Sequence, residues 1–197
     1  MGGLTDGYVY VDTATGGVHR RNHVIKHSEY RPPKGTPDCF TTYLRFTKDL
    51  LDYAQENPSP KTGRPSVAGY PGPALANCLP FDFDSKDPKQ AIAEAIGYVR
   101  LWESRWHLPP EALRIFWSGM KGISIEAPAE LFGGFEPSPS IAKHLKALAV
   151  AMAPEAKTLD ASIYEKLRLW RVPNTRHGTS GLYKVPITIQ ELTSCEY

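Results

Sequence analysis

The segment Leu79-Pro80-Phe81-Asp82-Phe83-Asp84-Ser85 alternates apolar and acidic residues with a period of two, the pattern of a half-buried strand. Residues i and i+2 of a strand share a face, so Phe81 and Phe83 turn to a core while Asp82 and Asp84 point out together. At the strand rise their Cα atoms lie roughly 6.5 Å apart. Carboxylates at that spacing suit hard divalent cations, which take oxygen ligands. Two such ions about 3.5–4 Å apart clamp the attacking and leaving oxygens of an in-line phosphoryl displacement. An isolated Asp-x-Asp is more often a solvated, acidic strand end, so the chemistry depends on what accompanies it.

Three other segments carry candidate chemistry. Ser118-Gly119-Met120-Lys121-Gly122 has two glycines that let backbone approach an anion, a hydroxyl and a lysine, as a phosphate site requires. Its spacing is not that of a Walker A loop, and a hairpin turn with one solvated lysine has the same composition. Asp160, between Leu159 and Ala161, is a third carboxylate with apolar neighbours; a buried acid needs a partner or a metal, but an N-cap for residues 161–167 explains it as well. Arg168 to His177 holds three arginines and a histidine in ten positions. Arginine forks grip phosphate oxygens bidentately, and Trp170, Val172 and Pro173 tie the segment to a core. The alternative is a solvated basic face. Acidic strand, phosphate turn and arginine segment together would make a nucleoside triphosphate site with two metals.

The elements that must position these groups are partly legible. A chain of 197 residues, 41% hydrophobic, buries a sizeable core, with one domain as the default. Its net charge of +2 excludes a global polyelectrolyte attraction to DNA and leaves a local patch. Cys39, Cys78 and Cys195 form no CxxC pair, so neither a disulfide framework nor a zinc knuckle follows. Without a membrane-length apolar run or a secretory stretch at Met1-Gly-Gly-Leu4, a cytoplasmic protein is expected.

Residues 1–37 read as an irregular lead-in with a short strand at Tyr8–Val11, followed by a catalytic domain over 38–197. His19, His23 and His27 recur every fourth residue, but without an acid or cysteine they read as a solvated basic segment. A strand over Cys39–Phe46 precedes a helix from Lys48 capped by Thr47; Val67–Tyr70 reads as another strand. Asp87-Pro88-Lys89-Gln90 is a helix start, and Ile92, Ile96, Val99, Trp102 and Trp106 give that helix its buried face. Strands follow at Leu113–Trp117 and Ile123–Glu126, a helix through Ile141, Leu145, Leu148 and Met152, and a strand at Leu182–Ile187. Thr188 and Glu191 have capping-box spacing just before the chain stops, so a domain cut from a longer protein is expected.

In their order, Phe-Asp82-Phe-Asp84, Ser118-Gly-Met-Lys121-Gly-Ile-Ser124, Leu-Asp160-Ala-Ser-Ile-Tyr and Arg171-Val-Pro-Asn174-Thr-Arg-His177 resemble the archaeo-eukaryotic primase, or primase-polymerase, superfamily, in its bacterial, phage and CRISPR-associated types. Thr179-Ser-Gly181-Leu-Tyr-Lys184-Val-Pro186 resembles that family's T-G-L-Y-K-x-P ending with one residue inserted. The resemblance spans about residues 66–192 and implies an α+β catalytic core whose RRM-like sheet carries the acids. It implies Asp82, Asp84 and Asp160 as catalytic metal ligands for Mg²⁺ or Mn²⁺. Ser118, Lys121, Ser124, Arg171 and His177 become the nucleotide-binding set. It further implies primer synthesis or extension on single-stranded DNA from dNTPs or NTPs. The chain departs from the pattern at Ser124, where the family motif ends in histidine; serine gives one hydrogen bond and no charge. That departure supports a rival reading, a catalytically weak single-strand-binding module of the same fold. A metal-dependent nuclease would also use paired acids, but the lysine and arginine set argues for triphosphate chemistry.

Overall fold

In the computed structural model, which describes residues 5–195, the acidic segment is a strand with Leu79, Phe81 and Phe83 fully buried. The chain order is β1 (Tyr10–Ala14), β2 (His23–Lys26), β3 (Phe40–Thr42), β4 (Leu44–Arg45), α1 (Asp49–Glu56), β5 (Leu75–Ala76), β6 (Cys78–Asp84), α2 (Pro88–Trp106), β7 (Arg114–Trp117), β8 (Gly122–Pro128), α3 (Ile141–Met152), β9 (Leu169–Arg171), β10 (Val185–Ile187) and α4 (Ile189–Thr193). This is an α+β architecture of antiparallel sheets flanked by helices. One sheet has the order β10-β7-β8-β6, a second β2-β1-β3-β9, and β4 pairs with β5 alone.

The free edge of β6 is not bare. Phe83 and Leu159 form an antiparallel bridge, flanked by Asp84 N–H donating to the Thr158 carbonyl and Asp160 N–H to the Asp82 carbonyl, both at 2.8 Å. With residues 158–160 counted as an edge, the path β6-α2-β7-β8-α3-edge is a βαββαβ unit in which β6 lies between β8 and the returning segment. The RRM-like sheet expected from the resemblance has this order.

Helix α2 forms where its start signals place it. The Asp87 carboxylate accepts from Lys89 N–H at 3.0 Å, Pro88 occupies the first turn, and His107 ends the helix in the left-handed region at φ 54°. Ala91, Ile92, Ala95, Val99 and Trp102 are its buried side. Trp102 packs on Phe81 with ring centres 4.3 Å apart, and its indole N–H donates to the Met152 carbonyl at 3.0 Å. One layer thus holds α2, α3 and the apolar face of β6. Trp106, expected in that face, is exposed on the last turn. The capping box at Thr188 is formed in both directions.

Other expectations change. The stretch read as an irregular lead-in supplies β1 and β2, and β1 pairs with β3. Its strand starts at Tyr10 rather than Tyr8 and buries Asp12 and Thr13 with Val11 and Ala14, so no polar–apolar alternation betrays it. Asp12 survives burial because Arg21 Nε and Asn22 N–H donate to its two oxygens at 2.9 and 2.8 Å; desolvation still pushes its carboxyl up. Val67–Tyr70 is a turn, with Gly69 at φ 78°, not a strand. The Cys39–Phe46 strand is split into β3 and β4. Lys48 is the N-cap residue of α1, although Thr47 Oγ1 still accepts from Asp49 N–H at 3.3 Å. His19, His23 and His27 fall on a 3-10 turn, a strand and a second 3-10 turn, all exposed. Met1–Leu4, inside the expected lead-in, and Glu196–Tyr197, inside the expected catalytic domain, lie outside the described residues.

Candidate active site

Cross-strand register sets one wall of the site. Asp82 lies opposite Ser124 and Asp84 opposite Gly122, and Ser124 in turn lies opposite Phe116. Because Phe81 and Phe83 take the helical side, these residues share the other face of the sheet. Asp160 arrives beside them on the edge segment. That segment is fixed by Glu94 of α2, whose carboxylate accepts from Lys157 N–H, Thr158 N–H and the Thr158 hydroxyl at 2.8–3.1 Å. Tyr164 fixes it from beyond by donating to the Pro80 carbonyl at 2.6 Å. β9 and the segment up to Lys184 close over the face from the second sheet.

The open cavity between them, of about 340 Å³, is lined by Asp82, Asp84, Ser118, Lys121, Ser124, Asp160, Arg171 and His177, the eight residues singled out from sequence, together with Phe40, Arg168, Trp170 and Lys184 among others. Within it, each carboxylate faces a cation. Lys121 Nζ is 3.4 Å from Asp84 Oδ2, and Arg168 is 4.0 Å from Asp160 Oδ2. Asp82 Oδ1 accepts from the Ser124 hydroxyl at 3.1 Å and feels the Lys184 charge. Burial raises the Asp82 carboxyl to about 6, and the nearby Asp84 and Asp160 charges add to that against the pull of Ser124 and Lys184. Asp160 also accepts from Ser162 N–H at 2.9 Å; the capping role and the place in the cavity coexist.

Among the described residues, no three His, Cys, Asp or Glu side chains are gathered into a ready-made metal cluster. The donor set nevertheless fits a hard divalent cation. It consists of carboxylate oxygens only, on one wall, and the electrostatic cost of Asp82 beside two further acids is what a bound cation would relieve.

The remaining predicted residues have defined local roles. Ser118 Oγ accepts from Gly122 N–H at 3.1 Å and Met120 N–H at 3.4 Å, which shapes the turn and leaves its own proton for an anion. Gly119 sits at φ 81°, and a Cβ there would stand 2.9 Å from the Tyr183 backbone. A Cβ on Gly122 would stand 2.5 Å from the Phe83 carbonyl oxygen, so Gly122→Ala prises β8 from β6 beside Asp84. The expected cost is about 1–3 kcal/mol, read as a lower urea midpoint with an unchanged slope. Arg171 is held by Asp38 at 2.7 Å and lies over the Phe40 ring, 4.8 Å from its centre. Partial burial and Arg171 lower the His177 imidazole below its usual value. Its Nδ1 accepts from Thr179 and Ser180 N–H at 3.0 and 3.3 Å. The neutral ring therefore carries its proton on Nε2 as a donor.

Sequence reasoning missed Lys184 and Asp38 as parts of the site. Lys184 is 2% exposed; its ammonium donates to the Arg171 carbonyl at 3.2 Å, sits 4.6 and 4.7 Å over the Phe116 and Trp170 rings, and is 3.9 Å from Glu126. Burial pulls it down to about 8. Its one sequence signal was membership of the Leu-Tyr-Lys-Val-Pro run. Asp38, between proline and cysteine, gave none.

No family model matches the chain, and no curated protein matches it. Among solved structures it is similar to the polymerase domain of Mycobacterium tuberculosis Ligase D in complex with DNA, at 17% identity and a TM-score of 0.49, over 97% of this chain and 77% of that one. No described helix is long and apolar enough to cross a membrane.

Proposed function

We propose that the chain is a template-directed nucleotidyltransferase, a DNA primase or polymerase that makes or extends primers on single-stranded DNA from nucleoside triphosphates. The observation that carries this reading is the convergence of Asp82, Asp84 and Asp160 on one wall of a cavity whose rim and opposite wall hold Ser118, Lys121, Arg168, Arg171 and Lys184. Asp82, Asp84 and Asp160 would hold Mg²⁺ or Mn²⁺. When bound, the cations supply charge neutralisation at the attacking and leaving oxygens. Once the carboxylates are so occupied, Lys121 and Arg168 would leave their ion pairs with Asp84 and Asp160 and turn to phosphate oxygens. Ser118 and His177 Nε2–H would donate hydrogen bonds to the same triphosphate, and Arg171, braced by Asp38, would orient it. Positioning and electrostatics then account for most of the rate. Ser124 would act through Asp82 rather than on the phosphates, because its hydroxyl already donates to that carboxylate.

The strand needs a local basic patch, and a groove of about 850 Å³ meets the requirement. Arg20, Arg21, Arg64, His19 and His23 line it with hydroxyl residues, and no acidic residue does. Arg21 donates to the Leu167 carbonyl at 2.9 Å, next to the Arg168 that lines the catalytic cavity. Phosphates running along this groove would thus enter the cavity beside Arg168. Replacing Arg20 and Arg64 together by glutamate is expected to weaken oligonucleotide binding and flatten its salt dependence by about one unit or more of log–log slope, measured by fluorescence anisotropy from low to moderate salt.

The deciding assay is synthesis on a single-stranded template, with and without primer, varying Mn²⁺ against Mg²⁺ and dNTPs against NTPs. Template-dependent product that vanishes in Lys121→Ala supports the reading. Oligonucleotide binding that ignores divalent cations, with no product under any condition, would favour the binding module for which Ser124 speaks.

A further inference from the structure

Behind the catalytic cavity, the Trp170 indole donates to Glu126 Oε1 at 2.8 Å and Lys184 covers the Trp170 ring. On the far side of this partition lies a second cavity of about 450 Å³. We infer that it is a second ligand site, built for the phosphate of a nucleotide, either free or carried in a strand.

The charges in its walls do not balance. Glu126 is engaged by Trp170 and by Arg114 Nε at 3.2 Å, and Arg171 by Asp38. Arg45 is left over. It is half-buried, donates only to the Thr42 carbonyl at 3.2 Å, and makes no ion pair among the described residues. Glu126 acts on Arg45 only through space, beyond ion-pair distance, and a half-buried guanidinium so weakly matched is costly unless an anion completes it. Arg114, with half of its side chain in solvent, keeps further N–H groups for the same anion.

Phe116, Val172 and Pro173 make another part of the wall apolar. A cationic end and an apolar wall within a volume typical of small-molecule pockets suit a phosphate attached to a flat organic body. Trp170 and Arg171 line both cavities, so an occupant of the rear site touches residues of the front one.

The test is calorimetric titration of the full chain with dAMP and, separately, with a twelve-residue oligothymidylate, in buffer free of divalent cations. Binding of one probe is expected to persist when Lys121→Ala and Arg168→Gln are combined, which removes the two front-cavity cations proposed to turn to phosphate. It should fall by about tenfold, the weight of one charge-assisted contact, in Arg45→Gln and in Arg114→Gln. Binding of dAMP identifies a free nucleotide as the source; oligonucleotide binding that persists with Arg20 and Arg64 replaced and falls in Arg45→Gln identifies a strand. Equal binding by wild type, Arg45→Gln and Arg114→Gln, or loss in the combined Lys121→Ala and Arg168→Gln variant alone, overturns the inference. Should Arg45→Gln fail to fold, Arg114→Gln decides. The outcome does not depend on whether the chain synthesises DNA, so this site and the proposed reaction fail separately.

Discussion

Asp82→Asn is expected to abolish metal-dependent synthesis, by about three orders of magnitude or more, while making the metal-free protein more stable. The loss follows from removing one carboxylate of the proposed ligand set, an interaction of several kcal/mol in the transition state where each 1.36 kcal/mol is about tenfold in rate. The gain follows from the position of the residue. Burial first, then the Asp84 and Asp160 charges, hold the Asp82 carboxyl at about 6. The folded protein therefore binds this proton more tightly than the unfolded chain does, and stability must fall as pH rises from about 4 to about 6. Above that window the ionised carboxylate costs the fold about 3 kcal/mol or less, taking the rise at face value. Asparagine keeps an oxygen to accept from Ser124 and carries no charge, so the cost disappears. Urea unfolding in EDTA should give wild type and variant similar midpoints near pH 4, with the variant pulling ahead by pH 7. Added Mn²⁺ should raise the wild-type midpoint at pH 7 and leave the variant where it is. Retained primer extension in Asp82→Asn, or a variant less stable than wild type at pH 7, would overturn the assignment.

That tension between stability and site explains why the acidic strand was the most legible element. A buried carboxylate such as Asp82, placed where it destabilises, must be written into a strongly patterned strand, and the buried Phe81 and Phe83 are that pattern. Helix α2 was legible for a local reason as well, since Asp87 and Pro88 act within one turn of their own backbone. Features that depend on distant partners were not. Asp160 itself was named from its motif, but what carries it to the cavity was not, since Glu94, more than sixty positions earlier, holds Thr158. Strand β1 was read only as far as Val11 because Asp12 is buried on the strength of Arg21 and Asn22, which inverts the usual sign of an aspartate in a hydrophobicity pattern. Val67–Tyr70 has the composition of a strand, but Tyr70 is spent on edge contacts with Phe46 and Tyr53, and Gly69 at positive φ turns the chain. Lys184 was missed on the same principle. A lysine between Tyr183 and Val185, both exposed, is the one residue of the three that turns inward.

Lys184→Met is the second substitution expected to separate stability from function. A buried ion replaced by an apolar residue of similar length is often neutral or stabilising by about 1–4 kcal/mol, provided that no partner is left stranded. Glu126 would not be stranded, since Trp170 Nε1 and Arg114 remain on it at 2.8 and 3.2 Å, and a thioether packs well between the Phe116 and Trp170 rings; the Arg171 carbonyl loses its 3.2 Å donor and Asp82 a nearby positive charge, which holds the gain to the low end of that range. The sign with pH is opposite to that of Asp82. Burial holds the Lys184 ammonium at about 8, below its unfolded value near 10.4, so the unfolded chain binds the proton more tightly. The cost of the buried charge is fully present below about pH 8 and is released as pH rises toward about 10.4. Lys184→Met should therefore exceed wild type in urea midpoint at pH 7, and the gap should close by pH 10. Synthesis at pH 7 should fall by about tenfold to a hundredfold, because the cavity loses a preorganised positive charge beside Asp82 and the triphosphate. In wild type the rate should also decline above pH 8 as the ammonium loses its proton, a limb that Lys184→Met lacks. Lys184→Arg is the control, since a guanidinium keeps its proton through this range and should flatten the same limb without the full loss in rate. A methionine variant as active as wild type would remove Lys184 from the reaction, and one that unfolds first at pH 7 would show that its pairing with Glu126 outweighs the cost of burying the charge.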